Sequence, residues 1–393
     1  MMTKLKTVPE LRFPGYANAW DSCSLGDIAS VKHGYPFKGE HFSSEGDFIV
    51  MTPGNFTPEG DFRYQGAKEK FYADDQFPKE YILSRGDLVT VMTEQTVGLI
   101  GSAVLVPDDS KFLHNQRLGL FQFIGDTDPR FLYRYLKTSV MRVAMSNTAA
   151  GSKVRHTSPK RIEKLQVWIL TLPEQRKIAF FLTAVDWRIQ QLSQKKALLE
   201  DYKQGVMQQL FTQALRFKDD HDNEFPDWEE KTLGEIADVY QLKTISQTDM
   251  TPTGYVVYGA NEIIGWYDKY NHEKEQVAVT CRGNTCGTIN LTEPFAWITG
   301  NAMVVNLDKQ PTITKTFVFH SLKHADLRYL ITGSGQPQIT GTIKKHVVIL
   351  PSVPEQTKIA NFLTALDRKI ESVAHQITHT QAFKKGLLQQ MFV

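Results

Sequence analysis

Two long segments of the chain share one pattern of apolar and polar residues. Residues 172–211 and 353–392 align without a gap at an offset of 181 positions, and eleven of their first fifteen aligned positions are identical. Each segment has proline second and glutamate third, and both residues suit the first turn of a helix. Each also closes on Gly-x-x-Gln-Gln-x-Phe. The pattern predicts two equivalent long helices rather than a short-period repeat array.

Apolar residues in both segments recur at alternating steps of three and four. Two apolar positions in seven form a narrow seam, which predicts coiled-coil pairing over about four heptads. An amphipathic helix lying on a globular core, the alternative, has a wider apolar face. Polar residues interrupt the two seams at positions that do not correspond, such as Lys196 in one segment and Thr380 in the other. This difference favours pairing of the two helices with each other over pairing of each helix with a second copy of itself. The predicted seam residues are Leu182, Val185, Ile189, Leu192, Leu199, Val206, Leu363, Leu366, Ile370, Val373, Ile377 and Leu387.

A region of short apolar runs separated by turn residues precedes each long segment. Runs such as 118–123 and 302–306 predict strands. Each region opens on Trp followed by Leu-Gly-[Asp/Glu]-Ile-Ala, and the polar residues around that motif predict a helix capping box. The fold class is therefore α+β: two strand-rich α/β domains alternating with two long helices, in a pseudo-twofold tandem repeat. The predicted boundaries are 1–171, 172–214, 215–352 and 353–393.

The helices are alike, but the domains between them differ. The distance from the opening Trp to the helix Pro is 27 residues shorter in the second copy than in the first. Little sequence identity survives inside the domains. This contrast favours a common frame that carries two different binding modules.

Composition sets only broad limits on function. The chain has 393 residues, 41% of them hydrophobic, and a net charge of +2, so charge neither favours nor opposes a nucleic-acid partner. Its three cysteines lack zinc-site spacing, and no segment resembles a signal peptide or a membrane span. These features predict free thiols in a reducing, cytoplasmic compartment.

The sequence offers no catalytic motif. It has no P-loop, no Gly-rich nucleotide loop after a strand and no His-Glu-x-x-His pair. The acidic and lysine residues at 227–231 are crowded at a predicted helix start, which does not suit a nuclease core. We therefore predict no catalytic residue, no metal and no cofactor, and a protein that is not an enzyme.

Basic and amide side chains gather at the predicted loops of both domains. Lysine and arginine neutralise phosphates, and arginine and glutamine make paired hydrogen bonds to base edges. A solvated loop is the alternative for any such cluster. The candidate nucleic-acid-binding residues are Lys38, Glu94, Gln95, Lys153, Arg155, His156 and Lys160 in the first domain and Lys243, Arg282, Asn284, Gln336 and Gln338 in the second.

Together, the Pro-Glu-Gln-x-x-Ile-Ala-x-Phe-Leu openings, the Gly-x-x-Gln-Gln-x-Phe ends and the paired Trp motifs resemble a type I restriction-modification DNA specificity subunit, over about residues 20–393. The resemblance implies a non-catalytic subunit with two target recognition domains, each recognising one half of a bipartite, asymmetric site in double-stranded DNA. It implies that the helices pair as an antiparallel coiled coil and set the gap. The implied partners are two adenine methyltransferase (modification) subunits and, for cleavage, motor-nuclease (restriction) subunits.

The length of the seam agrees with this resemblance. From Leu182 to Leu210 the helix spans roughly 42 Å, comparable to one DNA turn of about 34–36 Å. The alternative function is a coiled-coil scaffold whose two modules bind proteins, without a DNA role. A third possibility, the DNA-binding portion of a fused enzyme, is disfavoured because little sequence follows the second helix.

Overall fold

The computed structural model describes residues 8–74, 76–95, 98–109, 111–259, 262–333 and 335–392. Residues 1–7 of the predicted first domain lie outside this range. The chain divides into two compact units, one formed by Met1–Gln191 with Gln376–Val393 and the other by Leu192–His375. Each unit therefore contains part of both long helices, whereas the predicted boundaries keep the helices separate. The predicted division into recognition domains and spacers stays a prediction.

The first unit is built from short strands and short helices. Its strands are β1 (Asp21–Ser24), β2 (Ala29–His33), β3 (Phe42–Ser43), β4 (Phe48–Met51), β5 (Phe71–Tyr72), β6 (Ile82–Leu83), β7 (Leu88–Val91), β8 (Thr93–Glu94), β9 (Ala103–Leu105), β10 (Phe112–His114), β11 (Leu118–Phe123), β12 (Arg155–His156) and β13 (Gln166–Ile169). Its short helices are α1 (Leu25–Ile28), α2 (Pro129–Leu136), α3 (Ser139–Asn147) and α4 (Pro159–Glu163). The main sheets have the orders β3-β5-β4-β10-β6 and β2-β11-β7-β9, with smaller pairs β1-β13 and β12-β8.

The long helix α5 (Leu172–Phe211) links this domain to a second one of similar construction. The second domain contains β14 (Glu229–Thr232), α6 (Leu233–Ile236), β15 (Asp238–Gln241), β16 (Tyr255–Tyr258), β17 (Ile263–Tyr267), β18 (Val277–Thr280), β19 (Ile289–Leu291), β20 (Trp297–Ile298), β21 (Ala302–Asn306), α7 (Lys315–Ala325) and β22 (Val347–Leu350). Its sheets have the orders β15-β21-β18-β19 and β17-β16-β20, with the pair β14-β22. The second long helix, α8 (Val353–Gln390), follows.

The predicted local features are confirmed at several points. Strands β11 and β21 cover the predicted residues, and both capping boxes form. In the first box the Ser24 backbone N–H donates to Asp27 Oδ2 at 2.8 Å, and in the second the Thr232 N–H donates to Glu235 Oε2 at 2.6 Å. These bonds satisfy backbone N–H groups that a helix start leaves free.

Every predicted seam residue of α5 and α8 is buried or half-buried. The early seam residues pack on the domain cores as well, so part of each seam behaves as the alternative interpretation predicted. Leu182 and Val185 join the core of the first unit, and Leu363 and Leu366 join that of the second. The closing phenylalanines also enter these cores: Phe392 stacks on Tyr135 with ring centroids 5.5 Å apart, whereas Phe211 lies 5.8 Å from Phe317.

The Pro-Glu-Gln motif explains why each helix start is so similar. Gln356 is buried, and its side chain donates to the Pro351 carbonyl at 2.9 Å and accepts from the Thr314 backbone N–H at 2.8 Å. Gln175 makes the same pair of bonds in the first unit, to the Leu170 carbonyl and from the Asp128 N–H. The glutamine therefore ties the long helix to the start of the preceding domain helix, α2 or α7.

The glutamate of the same motif binds a repeat that the sequence analysis missed. Leu-Arg-Phe occurs at 11–13 and again at 215–217. Arg12 pairs with both oxygens of Glu174 at 2.7 and 2.8 Å, and Arg216 pairs with Glu355 at 3.1 and 2.8 Å. Each bidentate pair fixes the segment that leads into a domain against the start of a long helix.

The leucines of this repeat meet the ends of the long helices in the same way. The Leu11 N–H donates to the Gln390 carbonyl at 2.9 Å, and the Leu215 N–H donates to the Gln209 carbonyl at 3.0 Å. Gln209 and Gln390 occupy equivalent positions in the two long segments. The N-terminal segment therefore lies against the end of α8. In the same way, the linker that follows α5 lies against the end of α5.

Candidate nucleic-acid interface

Two polar segments that are distant in sequence meet side by side in the second unit. The turn after β18 pairs with residues 336–339: the Gly283 N–H donates to the Pro337 carbonyl at 3.0 Å and the Ile339 N–H to the Cys281 carbonyl at 3.0 Å. This pairing places the predicted Arg282 beside Gln338. The predicted Asn284 and Gln336 lie in the same two segments, and all four side chains are exposed.

The first unit brings its predicted residues together by the same construction. Strand β8 pairs with β12, which sets Glu94 opposite Arg155 and Thr93 opposite His156. A further match lies in the turn that leads into this pair. Ala150 and His156 exchange two backbone hydrogen bonds of 2.9 Å, and so do Thr332 and Gln338. His156 and Gln338 therefore occupy corresponding places, although the surrounding sequences have little in common.

Glu94 and Arg155 face the protein rather than solvent. Glu94 is 3% exposed, and one of its oxygens accepts the N–H groups of Gly98, Leu99 and Ile100 at 2.7–3.0 Å. Its other oxygen pairs with Arg155 Nη1 at 2.8 Å, while Arg155 Nη2 donates to the Ser146 carbonyl at 2.8 Å. Both residues were predicted to contact DNA, but this geometry suits residues that position the loops.

Several exposed predicted residues of the first unit lie within a few positions of Glu94 or Arg155 in the sequence. Gln95 follows β8, and His156 ends β12. Lys153 precedes β12, and Lys160 lies on α4, with both side chains exposed. Their amide, imidazole and ammonium groups are the ones that contact bases and phosphates in other proteins.

A groove with a volume of about 320 Å³ lies beside Gln95 in the first unit. Lys70 and Arg117, which line it, are exposed and were missed by the sequence analysis. Gln65 also lines it, but its side chain donates to Thr52 Oγ1 and Asn55 Oδ1 at 3.2 and 3.1 Å. Two cations and an exposed amide make this groove suitable for an anionic, base-bearing ligand. No motif could have grouped these residues, because they come from separate parts of the chain.

The remaining predicted residues lie near the same ends of the sheets. Lys243 is exposed and follows β15, whose last residue, Gln241, donates to Cys281 Sγ at 3.3 Å next to the loop pair. Lys38 is exposed, and its Nζ lies 3.7 Å from Glu40 Oε1. The neighbouring Phe37 is buried among Tyr72 and Phe77.

The part of the chain that the structure describes contains no group of three His, Cys, Asp or Glu side chains arranged to hold a metal ion. Cys23, Cys281 and Cys286 are free thiols, and burial raises the pKa of each, which disfavours the thiolate. None of the described helices combines the length and apolar character needed to cross a membrane.

Comparison with known proteins decides the family. The model of the type I restriction modification DNA specificity domain matches residues 18–201 and again 226–379. The chain belongs to this family. The resemblance stated from the sequence is confirmed, and the scaffold alternative is not favoured. The family supplies DNA specificity and is not catalytic, which agrees with the prediction for this chain.

The similar proteins of known name are also type I restriction enzyme specificity subunits. This chain is 27% identical over 167 residues to the type I restriction enzyme EcoprrI specificity subunit of Escherichia coli, covering 41% of this chain and 40% of that protein. It is 23% identical over 294 residues to the MjaVIII specificity subunit of Methanocaldococcus jannaschii, covering 65% and 68%. The chain thus matches less than half the length of the first of these relatives.

Solved structures confirm the fold of the specificity-domain family. The S subunit of a type I restriction-modification system from M. genitalium superposes with a TM-score of 0.67 at 17% identity, over 98% of this chain and 99% of that one. A chain from a type I system studied for complex assembly and conformational transition gives 0.54 at 14% identity, over 98% and 99%. Mixed α/β domains with long helices are therefore the shared architecture.

Proposed function

We propose that this chain is the sequence-recognition subunit of a cytoplasmic type I restriction-modification complex. Each unit recognises one half of a bipartite site in double-stranded DNA. The observation that carries the proposal is the loop pair found in both units, which has the same backbone pairing in each. The exposed side chains differ: His156 and Gln95 in the first unit, Gln338 and Asn284 in the second. Because the side chains differ, the two half-sites differ, and the whole site is asymmetric.

The exposed groups at the loop pairs suit direct recognition of DNA. Arg282 can donate two hydrogen bonds to guanine, and Gln338 can bind adenine through its paired donor and acceptor. Lys153 and Lys160 contribute charge for phosphates, which sets position and affinity rather than sequence. The groove beside Gln95, with Lys70 and Arg117, extends the recognition surface of the first unit.

The two long helices pair as an antiparallel coiled coil in this proposal. Support comes from two ion pairs, each inside one unit: Asp186 with Lys384 at 2.6 Å, and Lys203 with Asp367 at 2.5 Å. The aspartates occupy equivalent positions in the two long segments, and so do the lysines. Such reciprocal contacts are typical of a twofold interface, and they join the early part of one helix to the late part of the other. The pair sets the gap between half-sites.

The helices also offer a surface for the modification subunits. Phe180 and Trp187 on α5 are 73% and 62% exposed, and Leu198, Tyr202 and Phe383 are exposed as well. Large exposed apolar and aromatic side chains are typical of protein–protein interfaces. In the proposal, two adenine methyltransferase subunits cover these side chains, and motor-nuclease subunits join the complex for cleavage.

Selection from a pool of random DNA tests recognition and spacing together. The complex of this chain with its modification subunit is expected to enrich one motif with two unlike half-sites and a fixed gap. A variant with one extra heptad in each long helix is expected to keep both half-sites and enrich a longer gap. If the half-sites change while the gap does not, the spacer role is wrong. If no motif is enriched, the recognition function is wrong.

A further inference from the structure

The first unit contains a lysine that a loop of its own domain covers. Lys137 lies just after α2, and its side chain is 5% exposed. Its Nζ pairs with Asp61 Oδ1 at 2.6 Å and donates to the Gly60 carbonyl at 3.1 Å. Burial alone would raise the pKa of Asp61, but Lys137 and the nearby Lys384 hold it below its ordinary value. A carboxylate and a peptide carbonyl thus occupy the site next to two lysines.

The second unit repeats the lysines but not the loop. Lys323 near the end of α7 corresponds to Lys137, and Lys203 corresponds to Lys384. A groove with a volume of about 680 Å³ lies there, lined by Lys203, Lys323, Asp367 and their neighbours on α5 and α7. In the described residues, Lys323 Nζ has no hydrogen-bond or ion-pair partner. Burial lowers the pKa of Lys323, and the positive charge of the nearby Lys203 lowers it further.

Among the described residues of the second unit, no loop takes the place of Gly60 and Asp61 at this groove. The second domain is 27 residues shorter between its opening Trp and the helix Pro. The residues that line the groove lie on α5, α7 and α8 or at the ends of α5 and α7.

We propose that the groove between α5, α7 and α8 in the second unit binds an acidic loop of the modification subunit, which supplies a carboxylate and a backbone carbonyl to Lys323. The inference rests on the proposed function for the identity of the partner. The partner then provides in trans what Gly60 and Asp61 provide in cis to Lys137. The first unit already fills its own site, so the two units offer different contacts to the partner.

A DNA phosphate is the less suitable occupant of this groove. In the first unit the corresponding lysine, Lys137, binds a peptide segment, in which the Gly60 carbonyl and the Asp61 carboxylate both contact its Nζ. Glu200, Asp326 and Asp367 line the groove in the second unit and oppose the approach of a polyanion. These contacts favour a protein loop with a single acidic side chain over a phosphodiester backbone.

Titration of the purified chain with its modification subunit tests the inference. Lys323→Glu is expected to weaken one of the two binding events by roughly tenfold or more, since hydrogen bonds to charged groups are of that strength. Lys323→Gln, which keeps a donor without the charge, is expected to weaken it less. The matched control is Lys309→Glu, which reverses an exposed lysine in the loop before α7.

The outcomes separate the inference from the function on which it rests. Equal binding by Lys323→Glu and the control, with both variants folded by circular dichroism, would overturn the groove assignment and leave the function intact. A change only in self-association would identify a second copy as occupant and also overturn it. A change only in affinity for a DNA duplex would identify a phosphate site, with the same consequence. Failure of the unmodified chain to bind the modification subunit would refute the proposed function as well.

Discussion

Replacing Glu355 with alanine is expected to lower the free energy of unfolding of the second unit by about 3 kcal/mol. Glu355 is 0% exposed and accepts hydrogen bonds from Arg216 at 3.1 and 2.8 Å and from Trp228 Nε1 at 3.1 Å. Without the carboxylate, a partly buried guanidinium loses its counter-charge and the indole N–H loses its acceptor. Removing one partner of a buried ion pair costs more than the intact pair contributes.

Hydrogen exchange measured segment by segment localises this loss. Residues 212–228, which Arg216 ties to α8, are expected to lose protection, while residues 8–20 keep theirs. Glu174→Ala should give the mirror result, because Arg12 binds Glu174 in the first unit. Glu371→Ala on the exposed surface of α8 is the control and should change stability by less than about 0.5 kcal/mol. Equal loss of protection in both units from Glu355→Ala would contradict this account.

The double variant Arg282→Ala with Gln338→Ala is expected to reduce specific DNA binding by roughly 100-fold. Each paired hydrogen bond between a side chain and a base contributes about 1–3 kcal/mol of discrimination, and each 1.4 kcal/mol is a factor of about ten. Both side chains are exposed, and their segments are held by backbone bonds that the substitutions leave in place. The fold should therefore survive while contacts to one half-site are lost.

The half-site specificity of this variant is the informative measurement. Competition with DNA changed in either half-site should show that discrimination is lost at one half and retained at the other. Lys309→Ala is the charge control, since Lys309 follows β21 at the end of the strand opposite the loop pair. Loss of discrimination at both half-sites would mean that the two units do not recognise DNA separately. Unchanged affinity would place the recognition surface elsewhere.

Features carried by local periodicity could be predicted from the sequence. The two long helices and both capping boxes depend on residues a few positions apart, and a duplicated sequence makes such signals visible twice. The order of the strands depends on pairing between distant segments, such as β10 beside both β4 and β6, and no sequence pattern fixed it. The segments of the loop pairs were predicted as separate polar clusters, but the backbone pairing between them was not predicted.

Burial of polar residues was the main limit on predicting the candidate site. Glu94 is a polar residue at a predicted loop, which suggested contact with DNA. It lies inside the turn instead and accepts hydrogen bonds from three backbone N–H groups. Lys70 and Arg117 meet Gln95 only through the folded sheets. The Leu-Arg-Phe repeat was visible in the sequence, but its spacing to the following Trp differs between copies, eight residues from Arg12 to Trp20 and twelve from Arg216 to Trp228.

Mapping adenine methylation tests the central claim most directly. DNA would be sequenced for methyladenine from cells that express the modification subunit with this chain and from cells that express the modification subunit alone. The account predicts that the chain adds methylation at one motif, with two unlike half-sites separated by a fixed number of unspecified bases. A methylation pattern that the chain leaves unchanged, with the complex formed, or a continuous or palindromic motif, would contradict it.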